Sequence, residues 1–499
     1  MGRYIMAIDQ GTTSSKAFII DEGGEIVGQG GHPFRQIYPE PGWVEHDPME
    51  IWETQKRACM EAIEAASIKA GDLAALGITN QRETTVVWER ETGRPVANAI
   101  VWQCRRTSRL CERLIEQSRE DAIRRKTGLL IDAYFSATKL QWILQTVPHA
   151  MERAERGDLC FGTIDSWLVF NLTGGKVHAT DPSNASRTML FNINEKIWDR
   201  EILDWLGIPG GMLPQVLDSS TFYGLALPEV LGAEVPITGI AGDQQAALFG
   251  QGCFNRGDMK NTYGTGCFVL SNLGDVPLWS PGLLTSIGWS IKGRTSYVQE
   301  GSVFVAGAAV QWLRDNLGII GSSAEIETLA RSVEDTGGVY FLPTFVGLGA
   351  PYWDMYARGT IVGITRGTSP AHLARATLEA IAHQSTDVIE TMQGFSGQRH
   401  SPLRVDGGAA ENDLLLQFQA DMLGSQVVRP KNLQTTALGA AYLAGLASEY
   451  WRGQEELPCL KQDASLFAPR IGDAEREEKR ARWRKLIEIA RAWGDGRRA

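Results

Sequence analysis

Arg82 and Glu83, in Gly77-Ile-Thr-Asn-Gln-Arg-Glu-Thr-Thr85, place an opposed charge pair just past a short apolar run, Leu73 to Thr79. That run reads as a buried parallel strand whose carboxyl end opens into a ligand crevice. A guanidinium donates two hydrogen bonds from a rigid fork and a carboxylate accepts two, so the pair can hold neighbouring hydroxyls of a small neutral polyol. It equally suits a structural salt bridge. A second cluster, Asp9-Gln-Gly-Thr-Thr-Ser-Ser-Lys16, combines a strand-end carboxylate, a glycine, four hydroxyls and a lysine. Backbone N–H groups and hydroxyls of such a turn can cradle a polyphosphate, and Asp9 can reach its Mg²⁺ through water. The plainer reading is a β-hairpin turn, and the G-x-x-x-x-G-K-[ST] loop is absent.

Gly242-Asp-Gln-Gln245 repeats the order of strand, glycine, carboxylate and helix after Pro236 to Ala241. Asp243 there can take the proton of an attacking alcohol and help place a metal, or it can simply cap a helix. In Leu403-Arg-Val-Asp-Gly-Gly-Ala-Ala-Glu-Asn412, Gly408 and Ala409 leave room for a flat ring and Asn412 can meet an adenine edge. A strand-to-helix turn explains the same residues. Trp102, Tyr134 and Phe268 are candidates to wall the apolar side of a polyol, although most of the 15 Trp must be core.

These residues need elements to position them. The opening predicts an antiparallel meander, with strands at Tyr4 to Ile8, Ala17 to Ile20 and Glu25 to Gly28. Asp47, Pro48 and Glu50 predict an N-cap, a first helical residue and a capping box for a long helix that Gly71 stops. Strands near 73–79, 84–88 and 96–101 follow, then helical stretches near 103–127 and 137–146. The alternation means an α/β fold. Lys260-Asn-Thr-Tyr-Gly-Thr-Gly-Cys-Phe-Val-Leu-Ser271 echoes residues 9–20, so the chain reads as two related halves, 1–250 and 251–499. In the second half, helices at 305–316, 414–423 and 436–447 accompany strands at 339–341 and 403–405. Asp473 to Trp493 reads as a solvated terminal helix laced with i,i+4 charge pairs.

With 499 residues and 43% hydrophobic content, each half has a full core. A formal charge of -10 argues against a general nucleic-acid or acidic-membrane partner. Seven scattered cysteines without a C-x-x-C pair suit free thiols in a reducing cytoplasm, and no long apolar run suggests membrane insertion. The His and Cys spacings give no transition-metal site. G-x-S-x-G and a G-x-G-x-x-G after the first strand are both missing, which weakens hydrolase and dehydrogenase readings.

Asp9-Gln-Gly-Thr-Thr-Ser-Ser15, Thr79-Asn-Gln-Arg-Glu-Thr-Thr85, Ile100-Val-Trp-Gln-Cys-Arg-Arg-Thr107, Asn184-Ala-Ser-Arg-Thr188, Gly242-Asp-Gln-Gln245 and Asn261-Thr-Tyr-Gly-Thr-Gly266 together carry a resemblance. Phe345-Val-Gly-Leu-Gly-Ala-Pro-Tyr-Trp-Asp354, Gly359-Thr-Ile-Val-Gly-Ile364, His372-Leu-Ala-Arg-Ala-Thr-Leu-Glu379 and Val405-Asp-Gly-Gly408 extend it. From Ile5 to about residue 450 the chain resembles the FGGY carbohydrate kinases, within the actin and hexokinase (ribonuclease H-like) fold superfamily.

The resemblance implies a two-domain α/β kinase with a central cleft, moving the γ-phosphoryl group of MgATP to glycerol. It implies that Arg82, Glu83, Tyr134 and Asp243 hold the glycerol hydroxyls, with Trp102 and Phe268 along the carbon edge, Gln244 assisting and Asp243 as general base. Asp9 and Asp243 fall to Mg²⁺. Thr12, Thr13, Ser14 and Lys16 would meet phosphates; Thr265, Gly266, Gly307 and Gln311 would bracket the nucleotide; Gly408, Ala409 and Asn412 would border the adenosine. A homo-oligomer, dimer or tetramer, is also implied. The chain departs from family members inhibited by fructose 1,6-bisphosphate, because Tyr223 to Val235 is acidic and lacks an Arg. Thr221 stands where members activated by phosphorylation carry His, and Lys16 replaces the commoner Arg, keeping charge but losing the fork. Two rivals remain: a kinase for another polyol or a ketose such as xylulose or ribulose, and an actin-like ATPase with no acceptor.

Overall fold

The computed structural model describes residues 3–397 and 401–495. Among the described residues, thirteen strands run in one extended sheet built from two similar units. In the first, Tyr4–Gln10, Ser14–Ile20 and Ile26–Pro33 form the antiparallel meander. Leu73–Asn80 then pairs in parallel with Tyr4–Gln10, and Val235–Gly242 in parallel with Leu73–Asn80. In the second, Met259–Tyr263, Cys267–Gly274 and Arg294–Val303 repeat the meander, with Leu403–Asp406 and Val427–Pro430 added in parallel. The units meet where Ser220–Ala226 and Leu284–Ile291 touch through one residue pair, Ser220 with Ile291.

Strand periodicity decides what covers each face. Met6 and Ile8 point into a core shared with Ile51, Ala58 and Ala62 of the helix Pro48–Ala65. Ile5 and Ala7 point the other way, into a core with Ala437, Leu438 and Ala441 of the helix Thr435–Ala447. Successive side chains alternate faces, so a strand buried on both sides reads as a continuous apolar run. Each fully buried Ile contributes about 2 kcal/mol. Thr435–Ala447, expected to close the second half, therefore lies against the first half's sheet. The approach is close: a Cβ on Gly77 would stand 2.2 Å from the Ala440 carbonyl oxygen.

Several boundaries differ from expectation. Asp47 caps the first long helix by accepting from Met49 N at 2.9 Å. Glu50 does not complete a capping box; its carboxylate accepts from Arg35 N at 3.0 Å. That helix ends at Ala65, where Ser67 turns left-handed (φ 55°), well before Gly71. The stretch 103–127 is two helices, Ser108–Glu116 and Glu120–Thr127, with Ser118 left-handed between them. The 27-residue helix Pro370–Ser396 was not anticipated. The terminal helix Asp473–Asp495 is not solvated all round: Trp483, Leu486, Ile487 and Ala490 are buried, and Trp483 stacks on His383 at 4.9 Å. Among the described residues no helix is long and apolar enough to cross a membrane.

Candidate active site

Three parallel strands end side by side, because Gln10 pairs with Asn80 and Asn80 with Gly242. The residues that follow each end are therefore neighbours, about 5 Å apart per strand. Gly11 to Thr13, Arg82 with Glu83, and Asp243 are thus gathered by topology alone. In the second unit Thr262 pairs with Asp406, which puts the loops after 263 and after 406 together in the same way.

Arg82 and Glu83 are almost fully buried. Arg82 sends its end-on edge to Glu300, Nη1 to Oε2 at 2.5 Å and Nη2 to Oε1 at 3.1 Å. Its second Nη1 hydrogen goes to Gln245 Oε1 at 3.2 Å. Nε stands 3.0 Å from Asp243 Oδ1. The fork expected to hold substrate is thus largely occupied by protein, which leaves Nε, beside Asp243, and one Nη2 hydrogen. Glu83 Oε1 accepts from Arg187 Nε at 2.6 Å, and Arg187 Nη2 reaches Glu300 Oε1 at 3.2 Å. Two arginines and two glutamates so form a neutral, desolvated quartet, in which neither sign is left uncompensated.

Glu83 adopts φ 62°, an uncommon region for a non-glycine residue that costs about 1 kcal/mol or more. Its carbonyl is held by Ser136 Oγ at 3.0 Å and Thr85 Oγ1 at 3.1 Å. Tyr134 meets Trp102 edge-to-face at 5.6 Å and lies under the Arg187 guanidinium at 5.3 Å. The Tyr134 loop is fastened by Lys139, fully buried, whose ammonium donates to the carbonyls of Ala133 (2.6 Å), Tyr134 (2.6 Å) and Phe135 (3.0 Å). The Trp102 indole donates to Thr12 Oγ1 at 3.0 Å, joining this wall to the phosphate-loop candidate. Phe268 does not join the Trp102–Tyr134 pair through any ring contact among the described residues; it sits opposite Ser302, on the sheet face that carries Glu300.

Asp243 opens the helix Asp243–Gly250, with Gly242 as N-cap. Its Oδ1 accepts from Gln244 N at 2.7 Å, and the side chain keeps 32% of its surface exposed. Desolvation by its surroundings pushes its carboxyl above the usual range, and Arg82 opposes that rise. Gln244 is held by the ammonium of Lys260, which also donates to Thr262 Oγ1 at 2.6 Å. Burial lowers Lys260 to about 8. Burial raises Asp9 to about 6, with Lys16 opposing and the Asp243 charge adding to the rise.

The nucleotide-side candidates are more open. Gly11 to Thr13 is a tight hairpin turn, closed by Gly11 N to Ser14 O at 3.0 Å, with Thr13 and Lys16 exposed. Thr265 and Gln311 are exposed. Ala306 N and Gly307 N donate to Thr265 O (2.9 Å) and Gly264 O (3.0 Å), locking this loop to the helix Gly307–Asp315. Gly266 and Gly307 have packing reasons of their own: a Cβ on either would lie 2.3 Å from Val303 O or 2.6 Å from Gly264 O. A Cβ on Gly408 meets nothing within 4 Å, and Ala409 is half-buried beside it. Asn412 Oδ1 caps the helix Asp413–Leu423 through Leu415 N at 2.9 Å, so its amide group is what it offers a ligand.

Sequence reasoning assigned no role to Glu300, Arg187, Lys139, Lys260 or Gln245. The available signal was a charged residue inside a run otherwise built to be buried, such as Glu300 in Tyr297-Val-Gln-Glu-Gly-Ser-Val303.

Residues 4–250 match the N-terminal domain of the FGGY family of carbohydrate kinases, and residues 259–448 its C-terminal domain. The chain is 60% identical to a glycerol kinase of Symbiobacterium thermophilum over 98% of this chain and 99% of that protein. It is 57% identical to glycerol kinase 2 of Thermotoga maritima, again over 98% and 99%. Among solved structures, Plasmodium falciparum glycerol kinase with ADP superposes with a TM-score of 0.91 at 36% identity, covering 98% of both chains. Gluconate kinase from Lactobacillus acidophilus shares the fold, with a TM-score of 0.87 at 22% identity over 98% of both chains. With both domains matched and relatives this similar along nearly their whole length, the chain belongs to the FGGY family of carbohydrate kinases.

Proposed function

We propose that the chain transfers the γ-phosphoryl group of ATP to a terminal hydroxyl of glycerol, giving sn-glycerol 3-phosphate. The observation that carries this reading is the Arg82 Nε to Asp243 Oδ1 approach of 3.0 Å beside a neutral buried quartet. A small uncharged polyol matches such a site, because it needs donors and acceptors fixed in advance and no counter-charge. Similarity to glycerol kinases over the whole chain supports the same substrate.

Each residue then has a task. Arg82, through its side-on edge, and Glu83, through Oε2, hold neighbouring hydroxyls, with Tyr134 contributing its phenol. Trp102 and Phe268 line the carbon edge. Asp243 takes the proton as the alcohol O–H breaks, the new O–P bond forms, and the bond to the ADP oxygen breaks. A raised proton affinity suits a base that must accept a hydroxyl proton. Gln244, steadied by Lys260, keeps the start of the Asp243 helix in place. Thr12, Thr13, Ser14 and Lys16 meet phosphates; Thr265, Gly266, Gly307 and Gln311 bracket the nucleotide; Gly408, Ala409 and the Asn412 amide border the adenosine. Asp9 and Asp243 fit Mg²⁺: both are oxygen ligands, and the charge of Asp243 raises the proton affinity of Asp9, a repulsion that a cation relieves. When bound with ATP, Mg²⁺ offsets charge on the phosphates. Seven free cysteines, six of them buried, fit a reducing cytoplasm.

The test is a coupled ADP-release assay across a polyol and ketose panel. Glycerol with the highest kcat/KM is the expected result. A pentulose in that place would reassign the substrate, and ATP hydrolysis indifferent to any acceptor would favour an actin-like ATPase.

A further inference from the structure

Glu300 is fully buried on the strand Arg294–Val303 of the second unit, while both of its arginine partners belong to the first. Its two oxygens take the end-on edge of Arg82. That edge and the side-on edge share Nη2, and with the second Nη1 hydrogen taken by Gln245, an arginine held end-on here keeps only Nε and one Nη2 hydrogen. Here Nε stands on the side of Asp243. The oxygen that accepts from Arg82 Nη2 also accepts from Arg187 Nη2, and Arg187 in turn holds Glu83 by Nε. One carboxylate therefore sets the angle of Arg82 directly and the place of Glu83 at one remove.

The same strand leads onward to the other substrate. Ser302 follows on the same face, opposite Phe268. The chain then runs into Ala306 and Gly307, whose N–H groups bond to the Thr265 and Gly264 carbonyls of the nucleotide-side loop. Among the described residues the acidic contacts of Arg82 are Glu83, Asp243 and Glu300, and those of Arg187 are Glu83 and Glu300, so Glu300 is the acidic partner that the second unit supplies to both. Burial pushes the Glu300 carboxyl up, but Arg187 and Arg82 together hold it down at about 2, so it stays ionised at any working pH.

We infer that Glu300 is a positioning residue for the acceptor alcohol, contributed by the second unit: it turns the side-on edge of Arg82 toward Asp243 and fixes Glu83 through Arg187. This rests on the kinase reading above. It means that the hydroxyl contacts of the acceptor grip, drawn from the first unit, are completed only when the second unit's strand is in register beside them.

The experiment compares wild type, Glu300→Gln and Glu300→Asp in initial-rate assays with glycerol and ATP varied separately, alongside thermal unfolding. Glu300→Gln is expected to raise the glycerol KM about 100-fold with the ATP KM changed less than about threefold, the pattern of a lost acceptor contact. Glu300→Asp keeps both guanidiniums paired and serves where the Gln variant does not fold; its shorter reach is expected to raise the glycerol KM roughly tenfold. A merely structural role would lower the melting temperature and the active fraction while leaving the glycerol KM of both variants at the wild-type value, and that result overturns the inference. Wild type run in the same series separates the two levels. No glycerol-dependent ADP release there ends the kinase reading itself, whereas normal wild-type turnover with an unchanged variant KM ends only the role of Glu300.

Discussion

The acceptor side and the nucleotide side of this molecule are built on opposite principles. Around Arg82, the proposed acceptor contacts come from side chains that are themselves buried: Arg82, Glu83, Arg187 and Glu300 are each no more than 3% exposed and are bonded to one another. Around the turn at Gly11 to Thr13 and the loops after Tyr263 and Asp406, the surface carries the exposed hydroxyls of Thr13 and Thr265, the exposed Lys16 and exposed backbone at Gly408. The difference follows from the ligands proposed for each. A small neutral alcohol offers few contacts, so the protein must fix donors and acceptors beforehand. A nucleotide offers charge and area, so an open cradle of N–H groups and glycines suffices. Substitutions should therefore be far more damaging on the acceptor side.

The largest expected effect is at the junction. Asp243→Asn should lower kcat by about 10³-fold or more while glycerol still binds, measured by steady-state kinetics and calorimetry. Near-normal turnover would remove Asp243 as the base. The same carboxyl gives a pH signature. Its proton affinity is raised and its ionised form is the active one, so kcat should be full at high pH and fall as pH drops through a value above the ordinary carboxylate range. A fall only near the usual aspartate value would contradict the burial argument.

Next is Lys139→Met, which strips three carbonyls around Tyr134 of their common donor. It should cost about 3 kcal/mol of stability and raise the glycerol KM roughly tenfold, with the ATP KM little changed. An unaltered melting temperature would show that the Tyr134 loop does not depend on the ammonium. On the nucleotide side, adjacent glycines make a sharper contrast. Gly407 has φ 85° and its Cβ would lie 2.4 Å from Tyr263 O, whereas Gly408 faces open space. Gly407→Ala should lose about 2 kcal/mol or more, and Gly408→Ala should stay within about 0.5 kcal/mol in denaturant unfolding. The smallest effect is expected for Lys16→Ala: a rise in ATP KM of at most about tenfold that shrinks with added salt, since the ammonium is exposed.

The sequence made the topology readable because its signals are local. The runs Tyr4 to Ile8 and Leu73 to Thr79 are apolar, and turn residues separate the meander strands. The echo of residues 9–20 in 260–271 pointed to the repeated unit. Where the reading failed, the cause was distant. Nothing near Thr435–Ala447 tells that it packs on strands from the other half, since that depends on Gly77 and Gly239 lying beneath it. Glu50 was drawn from its capping box by Arg35, fifteen residues earlier. In the candidate site, the gathering of Arg82, Glu83 and Asp243 was legible from their strand-end positions. What could not be read is that Glu300, 218 residues away, takes the end-on edge of Arg82. Pairing across the fold leaves no mark in the local pattern of either partner.

A crystal structure of the protein with glycerol and a non-hydrolysable ATP analogue would test the central claim most directly. The account predicts a terminal glycerol oxygen within hydrogen-bond reach of Asp243, on the path to the terminal phosphorus. The neighbouring hydroxyls should lie on the Arg82 Nε/Nη2 edge and on Glu83. An alcohol bound elsewhere, or Asp243 turned away from both ligands, would contradict it.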